Sequence, residues 1–186
     1  MGTWRCAACR AGFGRRGHAA RARGLTLVEL MTTVAVLVIS LTLAAPALTS
    51  FLRSSRLRAV QSEFASSLML ARSEAARQGV RVGVEALQPP ADGGFARGWR
   101  VWVDADSNGS YDSGEPVVRE VPAPGAPLAI SSTPEVRNVI FAPSGFLVAA
   151  SDIKFRLCGQ PGVVQGYQVW LEPVGLSDIT EVTTCP

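Results

Sequence analysis

The sequence predicts an α+β fold in which one long N-terminal helix packs on an antiparallel β-sheet domain. Three observations carry this. Residues 30–48 hold no charge and are mostly apolar. A helical period of apolar residues continues beyond them to Gln78. From Val80 the chain breaks into short β-rich runs divided by Gly, Pro, Asn and Ser. These divide it into a basic leader (1–24), a membrane helix (25–47), an amphipathic extension of that helix (48–78) and a β-rich domain (79–186).

The leader carries Arg5, Arg10, Arg15, Arg16, Arg21 and Arg23, and no acid precedes Glu29. Such a block stays cytoplasmic and directs the following segment outward. From Leu25 the apolar run is long enough to span a bilayer core of ~30 Å at ~1.5 Å per residue. Glu29 is anomalous there, because a carboxylate in a membrane helix needs an interface or a partner. One reading is an acid tolerated at the positive end of the helix dipole. The other is a partner, the amino group created if the chain is cut after Gly24. A competing possibility is an ordinary secretory cleavage at Ala45-Pro46-Ala47, which would release a soluble β protein. Glu29 within the apolar run and the helical pattern beyond Pro46 argue against it. The two readings differ in the first residue of the mature chain, Leu25 or Leu48. Arg15-Arg16 is a twin arginine, but Gly17, His18 and Ala19 after it are not apolar.

Gly24-Leu-Thr-Leu-Val-Glu29-Leu30 resembles the prepilin cleavage motif of type IV pilins and type II secretion pseudopilins. The resemblance implies that a membrane prepilin peptidase cuts after Gly24 and that the new N-terminus, Leu25, is methylated, although Leu25 stands where Phe is usual. It implies that Glu29 neutralises a neighbouring subunit's N-terminus during assembly, and that Pro46 lies where these helices carry a bending proline.

In the helix extension, Leu57, Val60, Phe64, Leu68, Ala71 and Ala75 recur at spacings of three and four, which places them on one face. Gln78-Gly79 supplies the stop. From Leu25 to Gln78 the helix would measure on the order of 80 Å. The run Ala71-Arg-Ser-Glu-Ala75 is similar to the end of this helix in the GspH/FimT family of minor pseudopilins and minor pilins. That resemblance implies a structural subunit that assembles with other pilin or pseudopilin subunits in a pseudopilus or pilus. It also implies an inner-membrane protein whose globular domain is periplasmic.

The β-rich runs lie at 80–84, 99–103, 117–121, 128–130, 139–141, 153–157 and 167–171, which favours antiparallel sheet. Segments 88–94 and 122–127 read as exposed loops, and the chain holds no internal repeat.

The loop between the second and third runs has a calcium-type spacing. Asp104, Asp106, Asn108, Ser110, Asp112 and Glu115 occupy the ligand positions of an EF-hand loop, with Gly109 at the sharp turn. Its flanks are strands, so the alternative is a polar β-turn built on Asn-Gly. The family resemblance includes a similar loop before Gly114-Glu115-Pro116. Calcium is therefore the one cofactor the sequence raises for the domain.

The formal charge is +3, yet six of the 18 basic residues and none of the 15 acidic ones lie in 1–24. The remainder holds 12 basic against 15 acidic residues, about −3, which does not suit general nucleic-acid binding. The DNA-uptake branch of the family carries a Gly-Arg-x-Arg motif near the C-terminus. This chain reads Gly166-Tyr-Gln-Val and Gly175-Leu-Ser-Asp178 there and has no Arg after Arg156.

Cys6 and Cys9 form a Cys-x-x-Cys in the leader, and with His18 offer three zinc ligands but no fourth. Cys158 and Cys185 fall in the exported part, where oxidation is expected, and a bridge between them would close the C-terminal region. The alternative is two buried thiols. His18 is the chain's single histidine, so the exported part has no His for a Ser or Cys triad. Ser144 in Pro143-Ser-Gly-Phe sits in a turn. No enzyme is expected.

Overall fold

The computed structural model describes residues 26–92, 94–125, 128–159, 166–175, 177–183 and 185. The chain separates into two compact units, Met1–Ala44 and Ala45–Pro186. The helix extension therefore belongs with the sheets.

Helix α1 covers Leu27–Gln78. Thr26 caps it: the Glu29 amide donates to Thr26 Oγ1 at 3.2 Å, and the Leu30 amide to the Thr26 carbonyl at 3.1 Å. No glycine interrupts it, and Pro46 lies inside it. Its end is set by Gly79, whose φ of +70° puts it in the left-handed conformation that stops helices.

In the second unit α1 is followed by β1 (Arg81–Ala86), β2 (Gly98–Asp104), β3 (Val117–Pro122), β4 (Ala129–Thr133), β5 (Asn138–Phe141), β6 (Ile153–Cys158), β7 (Gly166–Leu171) and β8 (Ser177–Val182). Two four-stranded sheets result, ordered β3-β2-β1-β5 and β4-β6-β7-β8. Every pairing is antiparallel.

The core explains the arrangement. Leu57, Val60, Phe64, Leu68, Ala71 and Ala75 of α1 are all buried. They join the inward residues of both sheets, among them Val82, Val84, Trp99, Val101, Phe141, Phe155, Leu157 and Val169, in one cluster. Phe64 is the hub, with edge-to-face contacts to Phe95, Trp99 and Phe155 at centroid distances of 5.4, 5.2 and 4.9 Å. Polar ties pin the same helix. The indole of Trp99 donates to Ser67 Oγ at 3.0 Å, Arg119 pairs with Glu63, and Arg72 donates to the Gly175 carbonyl at 2.9 Å.

Three features go beyond the sequence reading. Segment 88–94 was expected as an exposed loop, and Gln88, Pro89 and Ala91 are exposed; past them the 3-10 turn Gly94–Arg97 carries Phe95 into the core. Strand β8 was not expected; it pairs along β7 from Gly166↔Val182 to Leu171↔Ser177. Lastly, the outer face of the first sheet is covered. Gly83 lies opposite Trp102, and a Cβ at Gly83 would stand 2.2 Å from the indole. This notch lets Trp102 lie flat on the sheet, fully buried on the side away from α1.

Candidate functional site

Two regions carry the chemistry, one in each unit. The first is the apolar half of α1. Its large side chains are exposed from the start, with Leu27 at 74 % and Leu43 at 74 %. A continuous apolar surface of this extent requires lipid or other apolar helices around it. The helix is long and apolar enough to cross a membrane. Its hydroxyls suit that setting, because each is satisfied within the helix. Thr32, Thr33, Ser40 and Thr42 donate to the carbonyls of Glu29, Leu30, Val36 and Ile39 at 2.8–2.9 Å.

Glu29 lies in the first turn of α1. Its main chain is engaged at both ends, whereas its carboxylate has no hydrogen bond or ion pair among the described residues. Thr26 was missed by the sequence reading, although Thr26-x-x-Glu29 has the capping-box spacing that could have found it. Gly24, Leu25 and the candidate zinc ligands Cys6, Cys9 and His18 lie outside the described residues, as does the side chain of Pro46.

The second region is loop 104–115, which joins β2 to β3. Its ends are fixed by the strands, and its body is fixed by the first sheet. Asn138 of β5 donates to the Gly109 carbonyl at 2.5 Å, and Arg81 of β1 donates to the Ser107 carbonyl at 2.9 Å. Tyr111 folds back over the sheet: the Arg100 guanidinium lies 4.3 Å from its ring, and Trp102 meets it edge to face at 6.4 Å. Within the loop, Glu115 is bound through both oxygens, accepting from the amides of Ala105 (2.8 Å) and Asp112 (3.0 Å). Asn108 donates to Asp106 Oδ2 (2.9 Å) and Asp112 Oδ2 (2.6 Å), and its own Oδ1 accepts from the Ser110 amide at 2.7 Å.

One carboxylate oxygen from each of Asp104, Asp106 and Glu115 lies within 4.8 Å of the others, so three of the six residues singled out in the sequence come together. Asp104 is the buried member. Burial raises its carboxyl above the ordinary aspartate range; the Gly109 amide opposes this, and the charges of Glu115 and Asp106 add to the rise.

Cys158 and Cys185 form a disulfide, with Cα atoms 5.8 Å apart. It ties the segment after β8 back to the end of β6. Gly166 makes room for it, since a Cβ there would stand 2.6 Å from the Cys185 sulfur.

A long helix, apolar in its first half and buried against two antiparallel sheets in its second, defines a pilin-like structural subunit. The sequence model of the family described as type II transport protein GspH matches residues 59–175, and the chain belongs to this GspH/FimT-like family of minor pseudopilins and minor pilins. In fold it is similar to the crystal structure of the type IV minor pilin FimU of Pseudomonas aeruginosa strain PAO1. In one crystal form the TM-score is 0.61 at 23 % identity, over 73 % of this chain and 96 % of that one. In a second form the score is 0.57 at 23 % identity, over 70 % and 97 %. No curated protein matches the sequence.

Proposed function

We propose that this subunit enters the inner membrane by residues 25–47, with the leader cytoplasmic and the β-rich domain in the periplasm. A prepilin peptidase cuts after Gly24 and methylates Leu25. The mature chain then joins other pilin-like subunits through its apolar helix. The observation that carries the proposal is the wholly exposed apolar half of α1, which runs in sequence directly into the half that supports the fold. The Glu29 carboxylate, unpaired among the described residues, is then available to a neighbouring subunit's N-terminal amine. The role is structural and involves no catalysis by this chain.

The assembly served is a type II secretion pseudopilus, the reading favoured by the family's description. A second reading, a type IV pilus, is favoured by the likeness to a type IV minor pilin. DNA binding has less support. Several of the described arginines are engaged within the fold, Arg58 to Tyr167, Arg119 to Glu63 and Arg137 to Glu85 among them, and the chain beyond residue 24 is net negative.

Glu29→Ala tests the assembly step. The variant should still lose its leader, yet at least tenfold less of it should enter purified filaments than of the wild type. Normal incorporation would contradict the charge pairing, and loss of cleavage would place Glu29 in recognition by the peptidase instead.

A further inference from the structure

Loop 104–115 concentrates charge in a way that the fold leaves unbalanced. Asp104, Asp106, Asp112 and Glu115 bring four carboxylates within twelve residues, with no Lys or Arg among them. Three of these converge within 4.8 Å. Of the cations near the loop, Arg81 donates to the Ser107 carbonyl and Arg100 lies over the Tyr111 ring, and neither forms an ion pair with the loop's carboxylates among the described residues.

Asp104 supplies the independent observation. Its side chain is 1 % exposed. Oδ2 accepts from the Gly109 amide at 3.2 Å, while Oδ1 is buried and has no hydrogen-bond partner among the described residues. An unpartnered buried carboxylate oxygen is costly, and native folds seldom keep one without a ligand for it.

We propose that this loop binds one calcium ion. Asp104 Oδ1, Asp106 and Glu115 are its first ligands, and Asn108, Ser110 and Asp112 complete the shell. The order of the donors is that of a twelve-residue calcium loop, with Gly109 at its tight turn (φ +80°). The Gly109 amide fixes one oxygen of Asp104 and leaves the other for the ion. With neither His nor Cys in the loop, the donor set is all oxygen and selects a hard cation. A long, many-donor loop suits calcium better than magnesium, which demands near-ideal octahedral geometry. The Asn108 amide now bridges Asp106 and Asp112, and a bound cation replaces it in that place. The flanks are strands, so the ion would clamp a hairpin and hold Tyr111 over Trp102 and Arg100. The site is independent of which filament the subunit serves.

The test uses the full chain in detergent, stripped with a chelator and titrated with calcium chloride by calorimetry, with thermal unfolding in parallel. Expected are one saturable site of ~0.1–1 mM, the range of extracellular calcium modules, and a melting temperature that rises with calcium. Asp106→Asn, at an exposed carboxylate, should weaken binding at least tenfold and shrink the rise in melting temperature that calcium brings, each variant being compared with its own calcium-free melt. Glu115→Gln should weaken binding similarly. Terbium should luminesce on excitation of the neighbouring Tyr111 and Trp102, and calcium should quench that signal. The proposal is overturned if neither heat nor stabilisation appears at about ten times the expected concentration. It is equally overturned if magnesium stabilises as well as calcium, or if Asp106→Asn binds as the wild type does.

Discussion

Glu85 shows how a buried acid contributes to the response of this fold to pH. It lies in β1 on the face away from α1, 6 % exposed, with Arg137 Nε 3.1 Å from its carboxylate. Burial raises its pKa, and the charges of Arg137 and Arg100 only partly offset that. A carboxyl with a higher pKa folded than unfolded favours the fold most when protonated. The contribution is complete below the unfolded value of about 4.3 and is lost as pH rises through the raised folded value. Glu85→Gln removes this titration. Arg137, 55 % exposed, can regain water when its partner goes. Thermal melts of the two proteins from pH 4 to pH 7 should therefore show the variant gaining on the wild type as pH rises. Parallel curves would mean that the Arg137 pair balances burial, and a variant that loses on the wild type as pH rises would mean that the pair outweighs it. Legibility at this scale was uneven. Cys158, Cys185 and the acidic residues of loop 104–115 could be picked by type and spacing. Thr26 was overlooked despite a readable signal, and the notch at Gly83 depends on Trp102 across the sheet, which no local pattern encodes.

Elements were legible where one face is buried. The stripe from Leu57 to Ala75 repeats with the helical period because all six residues meet one core. Segments such as Ile153–Cys158 alternate because one sheet face is covered, as the buried Ile153, Phe155 and Leu157 record. Strand β8 escaped because it is an edge with β7 as its neighbour, and its Ile179 is 41 % exposed. Phe95 escaped because a lone aromatic in a Gly- and Pro-rich segment carries no period. An edge strand held on one side is prone to fray, and here the Cys158–Cys185 bridge, spanning 27 residues, restrains it. Replacing both cysteines by serine should cost ~2–4 kcal/mol, the usual value for a bridge closing such a loop. The denaturant midpoint should fall, and amide exchange should quicken first across Ser177–Val182. Reductant should reproduce this in the wild type and leave the double variant unmoved. An unchanged midpoint would mean that β8 is held by its pairing with β7 alone.

At the scale of the molecule, the same helix closes the core with one half and exposes apolar side chains along the other, so the fold and the proposed assembly share one element. Sequence reached this level well, because charge blocks, hydropathy and helical period are each additive along the chain. The choice of machine was not legible, since neither the apolar half of α1 nor the core distinguishes a secretion filament from a motile one. The surface of the second unit carries only modest features. Phe146, Val148 and Val174 are exposed by 51, 46 and 43 %. The chain beyond residue 24 bears about three net negative charges. Contacts of that kind select neighbouring subunits by shape and charge, which a single chain does not spell out. The discriminating experiment is therefore cellular. In a strain lacking this subunit, a natively exported enzyme should accumulate in the periplasm, and the wild-type chain should restore its release. Glu29→Ala should fail to restore it, because a subunit that cannot enter the filament cannot support secretion. If release is normal without the subunit, the secretion reading is lost and the pilus reading takes its place. Surface piliation and twitching should then be what the deletion abolishes.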